Sequence, residues 1–179
     1  RSPAIFTSEG RPLGECRLSK VYYFSAFADW WPDKRDRHKL YVKALENSGV
    51  DVVLGHFKKK DRSCRSFNAR WLAHEEKETD VNIALYILNE AYKNTFDTAY
   101  IVSRDSDLKP AIEMLKSEFP DKAVTIVAPP HLGHSIDLIN CADNKRKISL
   151  KQLQQCLFPQ VIYAADGAEL VRRPTKYDP

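Results

Sequence analysis

The sequence predicts an α/β domain with a mainly parallel sheet flanked by helices. Stretches with strand-forming and helix-forming patterns alternate along most of the 179 residues, as they do in chains built from parallel βαβ units. The 43% hydrophobic content is sufficient for one substantial core, and the chain is short for two ordinary domains. We therefore expect a single domain.

The first predicted unit is a strand, a helix and a second strand. Residues 21–27 are rich in aromatic and β-branched side chains, which favour a strand. Residues 33–48 carry apolar side chains at helical spacing, and Gly49 is suited to end that helix. Residues 50–57 suit a buried strand. The three lysines at 58–60 are then expected to form a basic loop at its carboxyl end.

Further helices and strands follow in alternation. Residues 80–93 place an apolar face at helical spacing, which predicts a well-buried helix. Residues 98–103 are expected to form a strand. Residues 107–118 are expected to form a helix in which Pro110 falls in the first turn, where proline is tolerated. Residues 123–128 form the next predicted strand.

The two ends of the chain carry weaker patterns. A short helix is expected at residues 135–141 and a short strand or turn at residues 147–150. Residues 1–20 contain Pro and Gly at several positions, so at most one brief strand fits there. The tail from Asp166 onward is polar and is expected to be loosely held. Because the only methionine is Met114, we expect the sequence to be a fragment of a longer polypeptide.

The positive charge of the chain is concentrated in two clusters. The formal net charge is only +4. The first cluster contains Lys58, Lys59, Lys60, Arg62 and Arg65, and the second contains Lys145, Arg146 and Lys147. Such clusters suit a polyanionic partner, because each neutralised phosphate releases condensed counterions. The alternative is a pair of solvated basic segments that keep the protein soluble.

Several classes of protein are disfavoured by the sequence. No apolar run approaches the roughly 20 residues that a membrane-spanning helix needs, and no signal peptide is visible. The four cysteines are scattered without a C-x-x-C pair, which disfavours the common zinc and redox motifs. We expect a soluble, cytoplasmic protein with no membrane partner. The oligomeric state is left open, and a homo-oligomer is one alternative.

Two aspartates follow the predicted strand at residues 98–103. Asp105 and Asp107 are separated by one serine and stand at the start of the next helix. Ligands bind at the carboxyl edge of open α/β sheets, and two carboxylates at this spacing can reach one cation. The alternative is helix capping, for which Asp is a favoured residue. Capping accounts well for one of the two acids.

A third aspartate, Asp80, begins the predicted helix at residues 80–93. If that helix starts at the same sheet edge, its carboxylate can meet Asp105 and Asp107. Three glutamates also stand near Asp80, at positions 75, 76 and 78. The alternative is an acidic helix N-terminus that interacts with the macrodipole by a few tenths of a kcal/mol per residue. Spacing alone leaves both interpretations open.

Two motifs together resemble the NYN family of PIN-like nucleases. The first is the run EEKETDVNIAL at residues 75–85, and the second is the run YIVSRDSDL at residues 100–108. The strands predicted at residues 21–27, 50–57 and 123–128 also stand in the order that this family has. The resemblance covers roughly residues 20–158. The two acidic motifs are specific as a pair, although each is weak by itself.

The resemblance implies a fold, an activity and a set of site residues. The implied fold is a three-layer Rossmann-like (PIN-like) domain at residues 21–158, with residues 1–20 poorly matched and residues 159–179 as a C-terminal tail. The implied activity is cleavage of RNA phosphodiesters with Mg²⁺ or Mn²⁺ as cofactor. Asp80, Asp105 and Asp107 match the family's second, third and fourth acids. Ser103 and Asn82 occupy neighbouring matched positions.

One acid of the family pattern is not matched. The family begins with a strand that ends in an aspartate followed shortly by an asparagine, and no Asp-x-x-Asn arrangement precedes Val21. Glu9 is the nearest substitute. Either the first strand lies upstream of this fragment, or the chain has lost a metal ligand. The second case implies a domain that binds RNA or a protein without turnover.

Basic and aromatic residues supply candidate contacts to RNA. Arg104 stands where the family often has glycine, so it is placed either to touch a phosphate or to pair with the carboxylates in place of a metal. Lys77 presents the same two alternatives. The predicted nucleic-acid contacts are Lys58, Lys59, Lys60, Lys77 and Arg104. Trp30, Trp31 and Trp71 are candidates for stacking on unpaired bases, and we expect at least one of the first pair in the core instead.

A D-x-D phosphatase is a further alternative, since Asp105 and Asp107 follow a strand. In phosphatases of the haloacid dehalogenase type the first Asp follows the strand directly. Here Ser103 and Arg104 intervene, which disfavours that class.

Overall fold

The computed structural model describes residues 17–64 and 69–178, and it contains both helices and strands. The α/β class predicted from the sequence is confirmed. Glu9, Arg65 and the brief strand expected near the N-terminus lie outside the described residues. The described chain divides into two compact units. The first consists of residues 21–64, 69–85 and 156–178, and the second of residues 17–20 and 86–155.

The first unit begins with a strand, a helix and a strand, as the sequence predicts. These elements are β1 (Tyr22–Ser25), α1 (Pro32–Asn47) and β2 (Asp51–Leu54). β1 and β2 pair in parallel. Pro32 occupies the first turn of α1, where its fixed φ suits the helix. Gly49 has a φ of 85°, a conformation that glycine adopts without strain, and it separates α1 from β2.

A long antiparallel hairpin follows, formed by β3 (His56–Cys64) and β4 (Ala69–Lys77). The lysines at 58–60 lie within β3, so the prediction of a basic loop is wrong. Charged residues have low strand propensity, but pairing with β4 along the whole strand overrides that preference. Gly55 separates β2 from β3, and the backbone oxygen of Lys77 comes so close to it that no Cβ would fit.

The C-terminal segment of the first unit is structured. Strands β8 (Val161–Tyr163) and β9 (Glu169–Arg172) form a second antiparallel hairpin, and β9 lies against α1. Val171 is buried, and the Arg173 guanidinium donates a hydrogen bond to the backbone oxygen of Phe158. The prediction of a loosely held tail is therefore wrong. The polar composition of this segment did not indicate that Val171 is buried or that the backbone of β9 pairs with β8.

The second unit contains a parallel sheet of three strands in the order β5-β6-β7. Its elements are β5 (Thr98–Ile101), a 3-10 turn (Ser106–Leu108), α3 (Lys109–Glu118), β6 (Ala123–Ala128), α4 (Ile136–Cys141), β7 (Asn144–Lys147) and α5 (Leu150–Gln155). The predicted strand at residues 123–128 is confirmed residue for residue. The strand expected at residues 147–150 ends where it was predicted to begin, and α5 was not predicted.

The core of the second unit lies between this sheet and its helices. Val124 and Ile126 on β6 are fully buried, as expected for the middle strand of a parallel sheet. Ile112 and Leu115 of α3 and Leu138 of α4 are also fully buried. α3 lies against α4. These buried side chains stabilise the sheet. The turn that carries Asp105 and Asp107 follows β5, one of its strands.

Helix α2 (Thr79–Tyr92) forms where the sequence predicts a helix. The prediction that its apolar face is well buried is wrong, since Val81, Leu85 and Tyr92 are each more than half exposed. Helical spacing of apolar residues predicts one apolar face, but it does not supply the packing partner that would bury it. No described helix combines the length and the apolar character needed to cross a membrane.

The core assignment gives a stability prediction. We expect Ile112→Ala, at a fully buried position of α3, to lower the free energy of unfolding by about 2–5 kcal/mol, because it removes buried methylene groups and leaves a cavity. Met114→Ala in the same helix is the matched control, because Met114 is more than half exposed. Urea denaturation measures both. Equal losses in the two variants would contradict this placement of the core.

Candidate functional site

The segment after β5 is fixed by two hydrogen bonds that share Asp105. The backbone N–H of Asp105 donates to Ser103 Oγ over 3.0 Å. The Asp105 carboxylate accepts from the backbone N–H of Asp107, also over 3.0 Å. Leu108, fully buried, anchors the end of the turn in the core. The structure therefore brings Ser103, Asp105 and Asp107 together in one ordered turn.

Asp105 is the N-cap of the 3-10 turn that leads into α3. The capping alternative is thus confirmed for this residue. Capping uses Oδ1 of Asp105, whereas a carboxylate has two oxygens and about four lone-pair sites. Its second oxygen remains chemically suited to another ligand. Asp107 lies in the first turn after the cap, and both carboxylates are exposed.

The donor chemistry of this turn fits a hard divalent cation. Mg²⁺ is held in proteins by carboxylate oxygens, usually one or two of them together with substrate phosphates and water. Asp105 and Asp107 offer such a pair. Within residues 17–64 and 69–178, no group of three or more His, Cys, Asp or Glu side chains is placed to hold a metal. The convergence of Asp80 with the other two acids remains a prediction.

Asp80 and Asn82 lie near the start of α2. Asp80 is in its first turn and is exposed, which agrees with the interpretation of an acid at a helix N-terminus. Asn82 is half-buried, and its backbone N–H donates to the backbone oxygen of Glu78 over 2.7 Å. Glu78 has a positive φ of 75°, so the chain turns sharply between β4 and α2.

Arg104 stands between Ser103 and Asp105 with an exposed side chain. The sequence left open whether it pairs with the neighbouring carboxylates. In the part of the chain that the structure describes, no ion pair includes Arg104. Its guanidinium has the planar, forked geometry that suits a phosphate.

Two lysines of the β3–β4 hairpin form ion pairs with the same glutamate, Glu75. Lys60 Nζ and Lys77 Nζ each lie 3.1 Å from a carboxylate oxygen of Glu75. The hydrogen bond from Lys77, followed by that from Lys60, holds the pKa of Glu75 below its ordinary value. Lys77 therefore pairs with Glu75. Lys58 and Lys59 are exposed on β3.

The pairing of Glu75 with Lys60 was not predicted from the sequence. These two residues are 15 positions apart, and their contact depends on the register between β3 and β4. Residues 58, 59, 60 and 62 are all basic, so no period-2 alternation marked 58, 60 and 62 as one face of a strand.

Comparison with known proteins identifies related sequences. A family model described as NYN domain matches residues 9–149. The 6-hydroxy-3-succinoylpyridine 3-monooxygenase HspA of Pseudomonas putida (strain DSM 28022 / S16) is 33% identical over 129 residues, which cover 70% of this chain and 38% of that protein. The chain thus spans well under half the length of this relative. No solved structure matches the chain.

The capping hydrogen bond of Asp105 predicts how two substitutions of this residue change the free energy of unfolding. We expect Asp105→Ala to lower the free energy of unfolding by about 1 kcal/mol, because the N–H of Asp107 loses its acceptor. Asp105→Asn should change it by only a few tenths of a kcal/mol, because asparagine caps about as well as aspartate. Urea denaturation followed by circular dichroism measures both. Similar losses in the two variants would argue against a capping role.

Proposed function

The chain belongs to the NYN domain family, whose members are nuclease-like and act on RNA, and from this we propose that it is a metal-dependent endoribonuclease. In this proposal Mg²⁺ or Mn²⁺ is the cofactor and RNA phosphodiesters are hydrolysed. The proposed catalytic and metal-binding residues are Asp80, Asp105 and Asp107. Ser103 and Asn82 support them, and Lys58, Lys59, Lys60, Lys77 and Arg104 contact the RNA.

One observation carries the proposal beyond family membership. Two exposed carboxylates, Asp105 and Asp107, follow β5 at the carboxyl end of a parallel strand, and a hydrogen bond orients the first against the backbone of the second. This edge is where ligands bind in open α/β sheets. Two carboxylates separated by one residue in the same turn can serve together as oxygen ligands of one divalent cation.

The chemistry follows from the properties of these side chains. Asp80, Asp105 and Asp107 would hold the divalent cation, which would supply an activated water and offset the negative charge on the phosphate. Ser103 Oγ accepts the N–H of Asp105 and so holds the turn in shape. The Arg104 guanidinium, exposed beside the two acids, donates hydrogen bonds to phosphate oxygens. Neither a serine nor a cysteine nucleophile is required.

An NYN domain that binds RNA or a protein without turnover is the alternative. Two observations favour it: the unmatched first acid of the family pattern, and the lack of a three-acid group among residues 17–64 and 69–178. Under this alternative the purified chain binds RNA and leaves it intact in Mg²⁺ and in Mn²⁺.

The relative suggests a second enzymatic activity. Its name assigns it a monooxygenase reaction on 6-hydroxy-3-succinoylpyridine. The similarity covers 38% of that protein, so transfer of the reaction to this chain is a weaker candidate than hydrolysis of RNA. Incubation of the chain with this pyridine, O₂ and a two-electron donor such as NADH, with product detection by mass spectrometry, tests it directly.

The nuclease proposal predicts a large effect of one conservative change. Asp105→Asn should lower Mg²⁺- or Mn²⁺-stimulated cleavage of labelled RNA on the order of 100-fold or more, because the cap is kept while an anionic ligand is lost. The matched control is Asp121→Asn. Asp121 is an exposed acid just before β6, at the amino end of the strands, and its change should leave cleavage unaltered.

Gel electrophoresis of the RNA products, with and without EDTA, measures these rates. Full activity of Asp105→Asn would contradict the proposed catalytic role. Intact RNA with the unaltered chain, together with measurable RNA binding, would instead support the alternative without turnover.

A further inference from the structure

The β3–β4 hairpin has two chemically different faces. Side chains alternate between the faces along each strand, and residues paired across the ladder share a face. The pairs Lys58↔Glu75, Lys60↔Ala73 and Arg62↔Trp71 therefore lie on one side, and the pairs Phe57↔Glu76, Lys59↔His74 and Ser63↔Arg70 lie on the other. We call the first the basic face and the second the Trp30 face.

Side-chain contacts agree with this division. On the basic face, Glu75 reaches both Lys60 and Lys77, each over 3.1 Å. On the other face, Trp30 stacks on His74, with ring centroids 3.7 Å apart and planes tilted by 11°, and meets Phe57 edge-on at 4.6 Å. Trp30 thus covers Phe57 and His74 on the Trp30 face. On the basic face, Lys58, Lys60 and Arg62 are exposed.

Trp30 and Trp31 are not core residues. Trp30 is partly covered by the hairpin, and Trp31 is more than half exposed. The expectation that one of this pair lies in the core is therefore wrong. The third tryptophan, Trp71, belongs to the basic face and is 50% exposed.

The charges of the hairpin are unequally divided between its faces. The basic face carries the cations Lys58, Lys60, Arg62 and Lys77 against the single carboxylate of Glu75. The Trp30 face carries Lys59 and Arg70 against Asp61 and Glu76, so its charges balance. Basic residues that alternate along one strand are about 7 Å apart. They form a row that a negatively charged chain can follow.

Trp71 indicates which negatively charged chain fits. It is paired with Arg62 across the ladder, so an exposed indole lies within the row of cations. Single-stranded nucleic acid binds where cations follow the backbone and an aromatic ring stacks on an unpaired base. An acidic peptide has the charge but lacks the base, and in a duplex the bases are already stacked. The combination favours single-stranded nucleic acid.

We propose that the basic face binds single-stranded RNA, with Trp71 stacked on an unpaired base and Lys58, Lys60 and Arg62 contacting the flanking phosphates. The choice of RNA over DNA rests on the proposed function. Of the three lysines at 58–60, only two are on this face, so Lys59 contributes less than its neighbours. Glu75 opposes binding, because it neutralises two of the cations.

Each substitution on the basic face is compared with a matched control substitution on the Trp30 face. Binding is measured by fluorescence anisotropy with a labelled oligouridine of about 10 nucleotides, in EDTA so that no cleavage occurs. Trp71→Ala should weaken binding on the order of 10-fold, because the base loses its stacking partner. Leu72→Ala is its control, since Leu72 is 51% exposed on the Trp30 face. Trp71→Tyr should restore most of the affinity.

Charge changes give an independent test. Arg62→Glu should weaken binding and lower the slope of log affinity against log salt by about 0.7 for each phosphate that is no longer neutralised. Arg70→Glu, at the neighbouring position of the Trp30 face, should change the slope much less. Glu75→Gln should strengthen binding several-fold, whereas Glu76→Gln should have little effect.

The outcomes separate this inference from the nuclease proposal. If the chain cleaves RNA but the paired variants of the two faces bind the oligonucleotide equally, the inference is wrong and the nuclease proposal stands. If the chain cleaves no RNA but the basic-face variants lose binding, the reverse holds. Equal binding of an oligoglutamate or of duplex RNA to the unaltered chain would also overturn the inference, as would no binding of the oligouridine.

Discussion

The hydrogen bond between the Asp105 carboxylate and the backbone N–H of Asp107 determines the form of the candidate site. It ends the extended segment after β5 and starts the 3-10 turn. Leu108, buried beneath the turn, ties it to the core. The position of the two acids thus depends on the parallel sheet, and one side chain serves both the fold and the proposed chemistry. Capping uses one oxygen of the Asp105 carboxylate, so the cap and the proposed metal binding are compatible.

In the β3–β4 hairpin, the register between the two strands determines which side chains share a face. Its strand pairing places Glu75 beside Lys60 and Trp71 opposite Arg62. A shift of one residue would exchange the two faces and bring Lys59 onto the side that now carries the excess positive charge. Trp30 contacts both Phe57 on β3 and His74 on β4, which favours the observed register because it requires these two side chains on the same face. A basic cluster in the sequence thereby becomes a one-sided surface.

Local sequence patterns predicted most of the helices and strands, but they could not predict contacts between residues that are distant in sequence. The apolar run at 123–128 predicted the bounds of β6, and the local sequence placed Asp105 and Asp107 between a strand and a helix, because both signals lie within a few residues. The basic loop at 58–60 was a wrong prediction because its strand is defined by a partner more than ten residues away. The burial of α2 and the order of the C-terminal segment likewise depend on residues distant in sequence.

Family membership makes an acidic, metal-dependent site the central claim, and the turn after β5 gives that claim a location. The most direct measurement is a crystal of the chain soaked in Mn²⁺, with the anomalous signal of the ion as readout. We predict an anomalous peak at about 2.1 Å from carboxylate oxygens of Asp105 and Asp107. A well-ordered turn without a peak, or Mn²⁺ bound only by other residues, would contradict this claim.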